Sequence, residues 1–155
     1  APLTFRSLVW QKFWLSVGTT SLFTVGLAFL SAYMLQLDFI YFWMTVYSVA
    51  IANFGLAGLA VGLGALYPNF NEDNPARIVS GLGGTLNLLM SVGYIAVIVA
   101  AQTLVLQWNA IGRFGATSTF HYALAGAVFA GALITVVCVA LPMYFGLRNL
   151  RDREY

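Results

Sequence analysis

The sequence predicts an all-α integral membrane protein: four transmembrane helices, with a short interfacial helix in the cytoplasmic loop between the second and the third. Three observations lead there. Hydrophobic residues make up 61% of the 155 residues and charged residues 8%, against about 25% charged in a soluble domain. The mean hydropathy is +0.85, so lipid is the solvent for most of the chain. Only helices and closed barrels satisfy their backbone hydrogen bonds in lipid, and runs such as "YIAVIVAAQTLVLQW" lack the period-two alternation of a barrel strand. Finally, the charges cut the chain into four neutral intervals, each of single-span length.

The first interval, positions 13 to 37 between Lys12 and Asp38, holds 25 neutral residues and predicts a span near 14–36. It exceeds the apolar core of a secretory signal, about 7–15 residues, and no small-residue cleavage pattern stands behind it. The second interval, 39 to 71, holds 33 residues, the third, 78 to 112, holds 35, and the fourth, 114 to 147, holds 34. One crossing takes about 20 residues and two crossings with a turn about 40, so each interval holds one span. They are placed near 40–66, 84–108 and 120–146, and residues 1–155 form a single transmembrane domain.

The segment between spans two and three, "GALYPNFNEDNPARIVSGLGG", gathers most of the polarity found between spans. Tyr67-Pro68 ends span two, because the residue before proline avoids the helical region. Asn74-Pro75 reads as a helix start, with Asn74 as cap and Pro75 in the first helical position. Glu72 and Asp73 sit just ahead, where negative charge favours a helix N-terminus. The 34 residues from Pro75 to Trp108 would make a helix of about 51 Å, too long for one upright span. The expectation is therefore a surface helix over 75–81 and a bend at Gly81, Gly83 and Gly84.

With four spans, both termini and the 67–83 loop share one side. That side carries Arg6, Lys12, Arg77, Arg148, Arg151 and Arg153, and the other only Arg113. Six against one is a positive-inside bias, which puts both termini in the cytoplasm of a bacterial cytoplasmic membrane. Trp10, Trp14, Tyr67, Tyr144 and Phe145 would form the inner aromatic belt, and Tyr33, Tyr41, Trp43, Trp108 and Tyr122 the outer one.

Within the spans there is no Asp, Glu, Lys or Arg. Such groups mark proton relays and ion pathways, so a proton-coupled four-span pump is disfavoured. His121, at the outer end of span four, reads as an interfacial histidine. No GxxxxGK[ST] occurs, and "GLGG" is not GxGxxG. Asn69, Asn71 and Asp73 do not make a calcium loop, because Asn74 stands where glycine is needed and Ser80 where the closing glutamate is needed. Cys138 is the single cysteine. No catalytic residue, cofactor, metal or nucleic-acid partner is indicated. Asn53, Asn87 and Gln102 are the deepest polar groups, read as interhelical hydrogen bonders worth about 0.6 kcal/mol each. Small residues form two stripes, Gly58 and Gly62 with Ala60 and Gly64 alongside, and Ala123, Ala127 and Gly131, which let helices approach closely. Their partners are helices of this chain, helices not present in it or a second copy. Pro142 frees the Cys138 carbonyl and predicts a bend in span four.

The stretch "GLGALYPNFNEDNPARIVSGLGGTLNLLMSVGYI", the opening "SLVWQKFW" and the closing "LPMYFGLRNLRDREY" resemble the C-terminal membrane region of ABC exporter permeases, the membrane subunits of ATP-driven exporters. About 30 residues around the loop carry the specific part of the match. The resemblance implies that the chain is the C-terminal portion of a longer permease. It implies no enzymatic activity in the chain and a separate cytoplasmic ATPase that docks on residues 68–80, through Asn69, Asn71, Glu72, Asp73, Asn74 and above all Arg77. The alternative is a small four-helix accessory or scaffold protein that transports nothing.

Overall fold

The computed structural model describes residues 5–67, 81–113 and 117–151. Among these the chain is helical with no strand: α1 (Phe5–Met34), α2 (Phe39–Leu66), α3 (Leu82–Ala110) and α4 (Thr117–Arg151). All four are long and apolar enough to cross a membrane, as the neutral intervals predict. Successive helices run antiparallel. The end carrying the α1–α2 turn is called here the turn end, and the opposite end, where residues 68–80 connect α2 to α3, the loop end.

Helix boundaries follow local chemistry more than charge. α1 begins at Phe5, well before the expected 14, and α4 continues to Arg151, past the expected 146. A charged side chain limits how deep a residue sits in lipid; it does not stop a helix. These extensions also pack: Val9, Phe13 and Val17 of α1 share a buried cluster with Ala57, Ala65 and Met143, with Leu147 against it. α1 closes in a Schellman arrangement, with Gln36 N–H donating to Tyr33 O (3.1 Å) and Leu37 N–H to Ala32 O (3.3 Å). Gln36 takes the left-handed conformation that this closure requires, at φ 51°. α3 closes in the same way: Gly112 N–H donates to Asn109 O and Arg113 N–H to Trp108 O, both at 3.0 Å, with Gly112 at φ 69°. α2 ends at Leu66, with Tyr67 outside the helical region at φ −118°, ψ 62°, as its place before Pro68 requires.

The arrangement is not a square bundle. α2 and α4, which run parallel, lie against each other along their length. α1 packs on one flank of this pair and α3 on the other, and α1 and α3 do not touch among the described residues. In a regular four-helix bundle the two diagonals are similar; here one diagonal has collapsed. Glycine permits it. A Cβ added at Gly58 would lie 2.8 Å from Val139 Cα, one at Gly62 would lie 2.5 Å from Pro142 Cβ, and one at Gly146 would lie 2.7 Å from Gly62 O. Real side chains cannot occupy such positions, so the close approach depends on these glycines. The buried core is correspondingly split, with Val9, Phe13 and Val17 on the α1 side and Leu59, Tyr94 and Ile98 on the α3 side.

The remaining surface is apolar. Leu22, Phe23, Leu27, Phe129, Leu133 and Val136 are all at least half exposed, which in a soluble monomer would be an aggregation hazard and in a bilayer is the lipid-facing coat. All ten residues assigned to the aromatic belts are exposed.

Candidate functional site

Two kinds of site follow from the sequence: a polar loop and a set of packing glycines. Asn69, Asn71, Glu72, Asp73, Asn74 and Arg77 lie outside the described residues, as does the expected surface helix up to residue 80. What the structure describes is the platform from which that loop departs. Asn149 Nδ2 of α4 donates to Leu66 O of α2 at 2.7 Å, meeting a carbonyl that the end of α2 leaves without a helical partner. A Cβ on Gly83 of α3 would lie 3.0 Å from Tyr67 Cβ, so the two ends of the 68–80 segment are held side by side. The ends of α2, α3 and α4 thus meet at one point. Of the three glycines at which a bend is expected, only Gly81 lies outside α3, as its extended N-cap with ψ 172°. Gly83 and Gly84 belong to the first turns of α3. Thr85 explains this locally, since both its N–H (3.0 Å) and its Oγ1 (3.1 Å) reach Gly81 O and continue the helix through them.

The packing residues divide. Gly58 and Gly62 face α4 within the same chain, through Val139 and Pro142. Gly131 is buried, and a Cβ there would meet the Ile51 and Ile98 methyls at 3.4 and 3.6 Å. Ala127, one turn earlier, is half-buried. Gly64 and Ala60, grouped with Gly58 by spacing, are exposed, and Gly64 faces open space.

Between the helices runs a set of polar contacts at mid-span. Thr20 Oγ1 of α1 donates to Asn53 Oδ1 of α2 at 2.7 Å, and Asn53 Nδ2 donates to Ser21 Oγ at 2.5 Å. Ser48 of α2 bonds Gln102 of α3. Tyr47 Oη of α2 donates to Val128 O of α4 at 2.6 Å. Tyr94 of α3 joins three helices: its hydroxyl donates to Ile51 O of α2 at 2.9 Å and lies 2.8 Å from Thr135 Oγ1 of α4, while its ring covers the face of Gly55. Asn53 and Gln102 thus act as the interhelical hydrogen bonders that sequence predicts. Asn87 Oδ1 and Gln102 Nε2 are buried side-chain atoms without a hydrogen-bond partner among the described residues. Sequence reading passed over Tyr94, Tyr47 and Gly55. The signal was available: a tyrosine at mid-span lies outside both aromatic belts and must find a partner for its hydroxyl.

This site holds helices together through neutral hydroxyls, amides and carbonyls. A family model described as "Putative ATP-binding cassette" matches residues 1–155. The chain belongs to that family. No match was found among curated proteins or among solved structures. The family description names the cassette, whereas this sequence contains no GxxxxGK[ST] stretch and folds into four membrane-length helices.

Proposed function

We propose that the chain is a membrane-spanning permease component of an ATP-driven exporter, coupled to a separate cytoplasmic ATPase through residues 68–80. One observation carries the reading. The match to a family named for the ATP-binding cassette extends over all 155 residues, yet those residues make four apolar helices and lack the glycine-rich phosphate cradle that binds ATP. A chain of that family without the cradle fits the membrane side of the assembly, with ATP hydrolysis on a partner chain.

The mechanism follows from where the loop is mounted. An ATPase closing on ATP would push on a cytoplasmic loop, and the push must reach the spans without being lost in a hinge. Residues 68–80 leave from Tyr67 and return at Gly81, beside the Asn149–Leu66 bond. A displacement there reaches α2, α3 and α4 at once, and the close α2–α4 packing at Gly58 and Gly62 would carry it as a unit. α1, packed on one flank, is the helix left to slide. Orientation rests on the six-to-one bias of basic residues, with both termini and the loop in the cytoplasm.

The test is Arg77→Glu in the full-length permease, with membrane insertion and ATPase co-purification measured together. The proposal expects normal insertion with lost association, because a guanidinium can make a bidentate pair with a partner carboxylate. Unchanged association, in that variant and in one with Asn71, Glu72 and Asp73 replaced by alanine, refutes docking through this loop. A chain that never co-purifies with any ATPase points to the scaffold alternative.

A further inference from the structure

At the turn end, the starts of α2 and α4 and the end of α3 enclose a half-open cavity of about 250 Å³. Its walls are mostly apolar: Phe39, Ile40 and Tyr41 of α2, Leu106 of α3 and Phe120 of α4. Asp38 and Asn109 stand at it as well, and Tyr41 adds a phenol. We propose that this cavity binds an organic ammonium group, with Asp38 as counter-ion and the aromatic rings as its walls. The proposal rests on the four-helix structure and is independent of the transport reading.

Three observations select this ligand class. Asp38 is the only carboxylate among the described residues, and it stands at an apolar cavity. Although it occupies the N-cap position of α2, its side chain makes no cap hydrogen bond, so helix capping does not account for it. The neighbouring cation, Arg113, is placed over the Trp108 ring, 5.8 Å from its centroid. His121, also near this end, has its ring edge-on to Phe120 at 5.5 Å.

The lining then discriminates between cations. A hard metal ion takes six or more oxygen ligands; one carboxylate, one amide and one phenol among four apolar side chains do not supply them, and no metal-holding cluster occurs among the described residues. A substituted ammonium is large and weakly hydrated. Its alkyl groups match an apolar wall, its charge is stabilised by a carboxylate and by aromatic faces, and a cavity with few, placed polar groups is the usual form of a small-molecule site. Such an ammonium could come from a lipid headgroup, since the cavity lies at an end of the spans, or from a soluble amphipathic cation.

Benzyltrimethylammonium and its uncharged carbon isostere neopentylbenzene are the probes, titrated calorimetrically into the full chain in phosphatidylglycerol nanodiscs. Asp38→Asn should weaken ammonium binding about tenfold or more, the scale of losing one charge-assisted contact, and leave the isostere unaffected. Leu106→Trp, which fills the cavity and leaves the charge in place, should remove binding of both probes. Adding phosphatidylcholine, whose headgroup ends in a trimethylammonium, to the nanodiscs separates the sources. Competition that vanishes in Asp38→Asn identifies a lipid headgroup as the natural ligand, and no competition identifies a soluble cation. Equal ammonium affinity in the parent and both variants, or isostere binding that depends equally on Asp38, overturns the proposal.

Discussion

Gln36 and Gly112 do the same job at the two helix ends that close at the turn end, those of α1 and α3, with different residues. Both sit in the left-handed conformation that closes a Schellman motif, where a side chain costs energy and glycine does not. Replacing Gln36 by glycine should therefore raise stability by about 0.5–1 kcal/mol, and replacing Gly112 by alanine should lower it by about 1 kcal/mol. Denaturation midpoints in one detergent would check both signs. Gly62 behaves differently, because space and not backbone conformation is at stake. A leucine there would be driven into Pro142 and Met143. Gly62→Leu should cost well over 2 kcal/mol, the upper range for point changes without a core cavity or clash, or prevent assembly; a variant that melts like the parent would show that α2 and α4 do not meet at this position. Gly64→Leu is the control. It sits two residues away, on the open face, and should change little. Sequence spacing linked these two glycines; only the helix they face separates them.

Each flanking helix is attached to the α2–α4 pair by a few polar bonds over an apolar interface. For α3 the attachment centres on Tyr94. Its hydroxyl bonds to Ile51 O and Thr135, while its ring sits where a Cβ of residue 55 would be. Removing the hydroxyl in Tyr94→Phe should cost only about 1 kcal/mol, since interhelical bonds in lipid average about 0.6 kcal/mol each and the ring remains. Gly55→Ala should cost more, because the methyl displaces the whole ring and with it the docking of α3. Thermal melts should rank the variants in that order, and faster amide exchange confined to α3 should accompany Gly55→Ala; the reverse ranking would mean that the hydrogen bonds, not the ring packing, hold the helix. The existence of the four elements was legible in the sequence because charge cannot enter lipid cheaply, so charge-free intervals mark spans. Their ends were less legible. α1 starts early and α4 finishes late because Val9 and Leu147 find partners, and tertiary contacts of that kind leave no periodic mark on a uniformly apolar chain. Asn53 and Gln102 were readable as interhelical bonders, since few polar groups lie so deep. Tyr94 carries the same signal less openly, because tyrosine counts as apolar in composition and as belt-forming by habit.

At the scale of the molecule, the collapsed diagonal is what sequence could not supply. The stripe of small residues in α2 says that some helix comes close, and it is silent on which. Short connections suggest sequential neighbours, yet the closest partner of α2 is α4, one crossing beyond α3. The parallel pair matters for orientation as well. Because α2 and α4 run the same way, Leu66 and Asn149 reach the same face and join there, so the loop and the C-terminal end of α4 are on one side by geometry as well as by helix count. Which side faces the cytoplasm is decided by charge alone. By sequence position, Arg6, Lys12, Arg77, Arg148, Arg151 and Arg153 fall on the loop-end side of the spans, against Arg113 at the turn end. Juxtamembrane basic residues tend to be retained in the cytoplasm, and on that ground the proposed orientation has the loop end inside. In a background with Cys138 replaced by alanine, a cysteine at Ile111, an exposed residue at the turn end, should react with a membrane-impermeant maleimide in intact cells. A cysteine at Tyr67, exposed at the loop end, should react only after the membrane is opened. If Tyr67 labels in intact cells and Ile111 does not, the orientation is inverted. The 68–80 segment could then not meet a cytoplasmic ATPase, and the coupling mechanism would fall with it. The ammonium cavity would survive that result, facing the cytoplasm in place of the exterior, because nothing in its lining depends on which way the helices point.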